Sequence, residues 1–445
     1  MPKKEQIELQ IPTVAMVSLG CAKNLVDTEN LMGELYNKEF RLSAEPEYSD
    51  VVIVNTCGFL QTSIEEARDE ISELIKLKKK GDVQVVMAMG CYVSRGKDDV
   101  EKKYPLLDGV YALDEVKNIV SDLQEIFAYK ANASKKQLAG IRPISVTLPH
   151  YSYLKISEGC DRTCTYCTIP AIRGPNADKK IEELVEEAKV LASRGTREIN
   201  IIAQDTTAYG IQAYGQPKLL QLLQALEGVE GIEWFRLLYA YPDYINEELS
   251  DFLLSSHKMV KYLELPIQHV SESVLKKMNR GGSFKIYDTL FEKLRSSNPN
   301  YALRTTVIVG FPGESEDDFE MMLDYCKTRK FDRLGAFKFL REKGTPADKM
   351  KDQVPQDVID DRYDRLMQLQ SELHFEKNES LVGTDIEFIV DEVDETGLKG
   401  VGRTWRDIVD IDSFIHVESS HPLQPGMIAT ARVTAYDDYD LIGVL

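Results

Sequence analysis

Apolar residues fall in short blocks separated by amphipathic stretches along most of this chain. From 14 to 125, blocks at 14–20, 50–56, 83–89 and near 109–112 predict strands. Helical patterns lie between them, clearest at 63–80. There Ile64, Ala67, Ile71, Leu74 and Ile75 recur at helical spacing, and Ser63 with Glu66 forms a capping-box pattern. A second alternating series follows, with strands expected at 152–158, 198–204, 233–239, 261–267, 302–309 and 333–339. Its helices are expected near 180–194, 217–227, 246–256, 284–296 and 315–329, the last opened by Ser315 with Asp318. A long helix is expected at 355–378, with Ile359, Tyr363, Leu366 and Leu373 on one side. The period then changes to short strands and turns, IEFIV, GLKGVGRT, SFIHVE, MIATARVTAY and DLIGVL.

These patterns predict an α/β protein in three parts. Residues 12–128 should form a parallel α/β sheet domain, and 146–376 an incomplete (β/α)6 barrel. Residues 377–445 should form a small all-β barrel. The polar stretch 129–145 reads as a linker. In parallel sheets of both kinds, ligands gather beyond the carboxyl ends of the strands. Gln204-Asp205, Gln268-His269 and the turn Gly310-Phe311-Pro312-Gly313-Glu314 all fall at such ends.

With 43% hydrophobic residues, the 445-residue chain can build ordinary cores. No secretory h-region and no run long enough to span a membrane are visible, so a cytoplasmic setting is expected. The net charge is −19, from 73 acidic and 54 basic residues. A polyanion would be repelled on average and a basic protein attracted, so nucleic-acid contact is not favoured. The charge is concentrated in 381–445, where thirteen acids face four bases, a balance of −9. Small barrels that grip RNA use a positive groove; this one has the opposite sign.

Six of the seven cysteines form two groups of three. Cys160, Cys164 and Cys167 make a C-x-x-x-C-x-x-C after the first strand of the second series. Cys21, Cys57 and Cys91 each close an apolar run in the first series, so they can converge although 36 and 34 positions separate them. Three thiolates on a cubane iron–sulfur cluster leave one iron open for a small molecule. Structural zinc is the rival reading, but zinc wants four ligands, and no second C-x-x-C stands near the 160–167 group. A non-catalytic, cluster-stapled docking module is the rival of another class; three-ligand sites suit catalysis better than stapling. Cys326, inside a helical pattern, reads as a buried core thiol.

Taken together, these residues resemble the methylthiotransferase branch of the radical S-adenosylmethionine (SAM) enzymes over 14–445. The C-x-x-x-C-x-x-C with Tyr166 before its last cysteine resembles the radical-SAM signature. The upstream trio narrows the resemblance to methylthiotransferases, and the terminal barrel is similar to a TRAM module. SLGCAKNLVDTE around Cys21, GRTWRD at 402–407 and VDID at 409–412 resemble the ribosomal-protein branch (RimO type). The alternative branch modifies isopentenyl-adenosine in transfer RNA. One departure stands out: Asp178-Lys179 occupy positions where many members carry Ser-Arg.

The resemblance implies two 4Fe–4S clusters and SAM as both methyl donor and radical source. The cluster on Cys160, Cys164 and Cys167 would bind SAM and yield a deoxyadenosyl radical. The cluster on Cys21, Cys57 and Cys91 would carry the sulfide that is methylated. The product would be a methylthio group on the β-carbon of an aspartate in small-subunit ribosomal protein twelve. Tyr166 is expected near the adenine, the 310–314 turn beside the adenosine, and Gln204 and Asp205 near methionine or ribose groups. No side-chain general base is expected, and both clusters should open on one cavity. An electron donor such as a flavodoxin or ferredoxin is implied, while the sulfur donor is left open.

Overall fold

A computed structural model of the chain describes residues 11–128, 142, 144–281 and 283–445. The chain divides into two units, 1–146 with 168–174, and 147–167 with 175–445. Within the first, five strands form a wholly parallel sheet in the order Arg41–Ser43, Thr13–Ser18, Val51–Thr56, Val85–Gly90, Gly109–Tyr111. Helices cover both faces, which is why the central strands read as unbroken apolar runs. Val52, Val54, Val86 and Ala88 pack with Ile64, Ala67, Ile71 and Leu74 on one face. Val51, Ile53, Met87 and Met89 pack with Leu31, Leu35, Ile119 and Leu123 on the other.

One local expectation changes here. The helix expected to start at a Ser63–Glu66 capping box is Gln61–Lys80, with Leu60 at its N-cap and no side-chain cap. Its start is set by where the chain leaves the strand end at Cys57, which overrides the local signal. The linker expected at 129–145 lies outside the described residues except for 142, 144 and 145. Arg142 is buried, and its Nη1 donates to Glu29 Oε2 at 2.5 Å; Ser145 Oγ and Val146 N donate to Glu29 Oε1.

The second unit holds six parallel strands in two halves of three. Tyr151–Lys155, Glu198–Ile202 and Trp234–Leu237 form one half. Tyr262–Glu264, Ala302–Val309 and Arg333–Lys338 form the other, and a parallel bridge from Phe235 to Met259 joins the halves. Among the described residues no ladder closes the first strand on the last, so the barrel is incomplete as expected. The helix Glu316–Arg329 opens with the expected capping box of Ser315 and Asp318. The long helix is Gln356–Leu381, burying Ile359, Leu366 and Leu373. Beyond it, Asp385–Val393, Lys399–Thr404, Ile415–Glu418, Ile428–Asp437 and Asp440–Val444 close into a five-stranded barrel.

The terminal barrel docks on the larger one through buried charges. Arg403 Nη1 donates to Glu198 Oε2 at 2.6 Å and its Nε to Asp391 Oδ2 at 2.7 Å. Arg236 Nε reaches the other oxygen of Glu198 at 3.0 Å, and its Nη1 donates to the Trp405 carbonyl at 2.6 Å. Arg304 pairs with Asp412 at 2.5 Å, and Arg333 with Asp407. Glu198 and Arg333 open their strands, and Arg236 and Arg304 lie two positions into theirs. The terminal barrel therefore caps the amino ends of these strands, the pole opposite the loop that follows Lys155. Burial works to raise the Glu198 carboxyl, but Arg403 and Arg236 hold it below the usual range.

Removing that carboxylate should leave two buried guanidiniums facing each other. Glu198→Gln is expected to cost about 3–5 kcal/mol in chemical denaturation. A loss under about 1 kcal/mol, the scale of an exposed pair, would contradict the docking role. His374 supplies a pH test. Its Nδ1 accepts from Arg333 Nη1 at 2.6 Å, and its Nε2 lies 3.1 Å from the Tyr439 carbonyl. Burial, then the Arg333 charge, lower it from the ordinary 6.5 to about 4. The folded state thus keeps His374 neutral while the unfolded chain protonates. Stability from this source is full above pH 6.5 and falls as pH drops toward 4. His374→Gln should flatten the acid limb of the stability–pH curve.

Candidate active site

The register of the first sheet brings its three cysteines abreast. Ser18 pairs with Asn55, Asn55 with Met89, and Thr56 with Gly90. Strands in register lie about 4.8 Å apart, so chain leaving these positions must emerge side by side. Cys57 and Cys91 follow their strands directly, and Cys21 comes three residues after Ser18, at the N-cap of Ala22–Asn37. Two glycines permit the close approach. A Cβ on Gly20, whose φ is +92°, would lie 2.7 Å from the Cys57 Cβ. A Cβ on Gly58 would lie 2.6 Å from Tyr92 backbone and 2.7 Å from the Cys91 carbonyl carbon.

Asn24 organises this edge. It is fully buried, and its Nδ2 donates to the carbonyls of Leu19 at 2.9 Å and Thr56 at 3.2 Å, tying two strand tails together. Its Oδ1 lies 3.5 Å from Cys91 Sγ and accepts from Arg173 Nη2 at 2.5 Å. Arg173 Nη1 also reaches Asp27 at 3.1 Å. The segment 168–174, expected inside the central barrel, packs with this first unit. Cys57 and Cys91 are buried and Cys21 is exposed. Burial pushes the Cys91 thiol up to about 12, opposed by Arg173 and reinforced by Cys21 and Cys57.

Cys160, Cys164 and Cys167 are half-buried on the loop after Tyr151–Lys155. That loop is held by the protein. Thr165 N donates to the Met278 carbonyl, Asn279 Nδ2 to the Thr163 carbonyl, and Ala347 N to the Thr165 carbonyl. Arg162 Nε pairs with Asp205 at 2.8 Å and Nη1 with Asp243 at 2.6 Å, while its guanidinium lies 3.8 Å from the Tyr241 ring centroid. Arg162 N donates to Cys160 Sγ at 3.4 Å, an N–H···S contact that suits a thiolate. Burial pushes the Cys160 thiol up to about 11, partly offset by that backbone donor.

Of the residues expected near SAM, the structure brings Tyr166 and Phe311 into contact. Tyr166 meets Phe311 edge-on at 6.3 Å, and Phe311 meets Phe339 at 5.3 Å. The Gly310–Glu314 turn is closed from inside: Glu314 Oε2 accepts from Gly310 N at 2.9 Å and Phe311 N at 3.3 Å, and Oε1 from Arg362 Nη1 at 2.8 Å. Gly313 N donates to the Asp352 carbonyl, and Pro312 lies between these anchored residues. Glu314 thus shapes the turn and is itself buried. Gln204 Nε2 donates to Glu158 Oε1 at 3.2 Å. Asp205 is engaged by Arg162 on one oxygen and by Thr207 and Ala208 on the other, so it bears on the cysteine loop through Arg162. His269 is buried and its Nδ1 accepts from Ser271 N. Cys326 is a core thiol, as expected, pushed up to about 12 by burial.

Sequence reasoning missed Asn24, Asn55, Glu158, Arg162, Arg280 and the role of Arg173. Arg280 Nη2 donates to the Pro266 carbonyl, Nη1 lies 3.5 Å from the Tyr166 hydroxyl, and the guanidinium stacks 4.1 Å from the Tyr241 centroid. Glu158 adjoins the cysteine motif and Arg162 lies inside it, which was a usable signal; Arg280 is over a hundred residues away and left none. The departure at 178–179 has its own logic. Asp178 Oδ2 accepts from Gly210 N and Gln212 N, both at 3.0 Å, and Lys179 pairs with Glu187 at 2.8 Å.

Both cysteine groups fit iron–sulfur chemistry: three soft thiolates each, partly desolvated, with N–H or amide groups nearby. Among the described residues, no three His, Cys, Asp or Glu side chains converge closely enough to hold a single metal ion. A cubane makes no such demand, since its thiolates sit on separate irons.

Residues 154–326 match the Radical SAM superfamily, 13–112 match an uncharacterized protein family, UPF0004, and 382–445 match the TRAM domain. The chain is 42% identical to the ribosomal protein uS12 methylthiotransferase RimO of Carboxydothermus hydrogenoformans, over 96% of this chain and 98% of that protein. It is 40% identical to the RimO of Acetivibrio thermocellus, over 97% of each. Among solved structures, the radical SAM methyltransferase TsrM of Kitasatospora setae superposes with a TM-score of 0.56 at 14% identity, covering 76% of this chain and 77% of that one. At that identity the likeness concerns fold alone.

In metal-free protein, iodoacetamide should label exposed Cys21 first at pH 8. Cys91, buried and with its thiol pushed up to about 12, should react far more slowly, speeding up as pH rises. Equal labelling of Cys21 and Cys91 at pH 8, read by peptide mass spectrometry, would contradict the packing described.

Proposed function

We propose, because the chain belongs to the ribosomal protein uS12 methylthiotransferase (RimO) family of radical SAM enzymes, that it transfers a methylthio group to the β-carbon of an aspartate in uS12. The observation that carries this reading is the pair of three-cysteine sites, each beyond the carboxyl ends of parallel strands. Two 4Fe–4S clusters and two molecules of SAM supply the sulfur carrier, the methyl group and the one-electron chemistry when bound.

The chain's own residues hold and orient. Cys21, Cys57 and Cys91 serve one cluster, and Cys160, Cys164 and Cys167 the other. Arg162, locked by Asp205, Asp243 and Tyr241, fixes the second cysteine loop. Tyr166 and Phe311 offer an aromatic wall for adenine. Gln204 and Glu158 offer polar groups to the amino-acid end of SAM, and the Gly310–Glu314 turn flanks the adenosine. Hydrogen-atom abstraction needs no side-chain base, so none is assigned.

Charge supports a basic protein substrate. Of the four bases in 381–445, Arg403 and Arg406 are buried, leaving Lys399 and Arg432 exposed among nine exposed carboxylates. Opposite charge favours encounter and suppresses wrong partners. The relatives at about 40% identity carry the ribosomal-protein activity in their names, so the transfer-RNA alternative is not favoured. No helix among the described residues is long and apolar enough to cross a membrane. A reducing cytoplasm and a flavodoxin- or ferredoxin-like electron donor belong to the same reading; all seven cysteines are free thiols.

Two variants test it. Cys164→Ala should abolish reductive cleavage of SAM, measured as deoxyadenosine release from reconstituted protein. Cys57→Ala should still release deoxyadenosine but yield no methylthiolated uS12 by mass spectrometry. Product at the parent rate from the Cys57 variant would overturn the assignment of the first trio.

A further inference from the structure

Arg173 is a cation that the fold delivers to the edge of the first cysteine site through a segment of distant origin. It lies six positions after Cys167, yet its segment packs with residues 1–146. Its guanidinium is buried, and Nη2 donates to the same Asn24 oxygen that stands 3.5 Å from Cys91 Sγ. Asn24 in turn holds the strand tails that lead to Cys21 and Cys57, through the carbonyls of Leu19 and Thr56, and its own carbonyl accepts from Asn55 Nδ2 at 2.8 Å. Arg173 therefore fixes the rotamer of the amide that spaces the site. As a ligand Cys91 carries no proton, and Asn24 Oδ1 then faces it as a second acceptor. The guanidinium is the donor that makes this pairing of acceptors tolerable.

Three thiolates at a largely buried edge concentrate negative charge where water screens it poorly. A fixed cation there favours whichever cluster state is more anionic. Adding an electron makes the cluster more negative, so the cation should raise its reduction potential. Asp27, 3.1 Å from Nη1, tempers this effect, while Nη2 is the nitrogen that faces Asn24.

We propose that Arg173 is a positioning residue for the cluster held by Cys21, Cys57 and Cys91: it orients Asn24 and sets that cluster's reduction potential. The inference rests on the reading of those cysteines as cluster ligands. Lys would keep the charge but lose the fork that reaches Asn24 and Asp27 together.

The test uses the full chain with Cys160, Cys164 and Cys167 replaced by alanine, so that a single cluster is observed. Iron and sulfide content, the EPR signal of the reduced cluster and its midpoint potential are measured in this parent, in R173Q and in R173K. Expected are a cluster in the parent, a shift to more negative potential in R173Q, and a smaller shift in R173K with an altered EPR line shape. An unchanged potential in fully loaded R173Q would overturn the inference. So would equal loss of cluster from R173Q and R173K accompanied by equal drops in the melting temperature of the metal-free proteins, which would make Arg173 a fold staple only. Absence of any cluster from the parent itself would instead sink the assignment of the three cysteines.

Discussion

A parallel sheet sends every strand out at the same edge, and the first cysteine site depends on that constraint. Residues 21, 57 and 91 have no local reason to meet. They meet because in-register pairing from Ser18 to Asn55 to Met89 leaves three chain tails a strand spacing apart. A one-residue slip of any pairing would move its cysteine and turn its apolar residues to the wrong face. The two apolar clusters flanking the sheet thus enforce the thiol geometry: Val52 and Val54 facing one way and Val51 and Ile53 the other leave one register in which both faces are satisfied.

The second site is built by the opposite strategy. Its cysteines are close in sequence, and the task of the fold is to stiffen the loop that bears them. Backbone bonds to Met278 and Ala347, the Arg162 pairs and stacking on Tyr241 come from four separate stretches of chain. At the other pole of the same barrel, strand-opening charges such as Glu198 and Arg333 receive Arg403 and Asp407 of the terminal barrel. One pole carries the reactive loop and the other the docking interface. The terminal barrel can therefore keep an acidic outer surface without placing its charge against Cys160, Cys164 and Cys167.

Part of this was legible in the primary structure. Apolar periodicity located the six barrel strands, the long helix and the five terminal strands, because each buries a contiguous pattern. The Ser315–Asp318 box held because that helix starts freely after a turn. The Ser63–Glu66 box failed because the start of Gln61–Lys80 is dictated by the strand end before it. The short edge strand Arg41–Ser43 had no pattern to find.

The order of residues by itself determined the donor chemistry: soft thiolates in threes, their placement after apolar runs, and the acidic sign of the last 65 residues. Covalent neighbours and periodicity suffice for those. Only the tertiary structure decided which charges stand beside the thiols and which join the barrels. Arg173 beside Asn24, Arg280 near Tyr166, and Arg403 between Glu198 and Asp391 pair groups that lie far apart along the chain. A lone arginine or carboxylate in a sequence carries no mark of its partner. Burial selects the pairing, because an unpaired charge inside the protein costs more than any alternative packing returns.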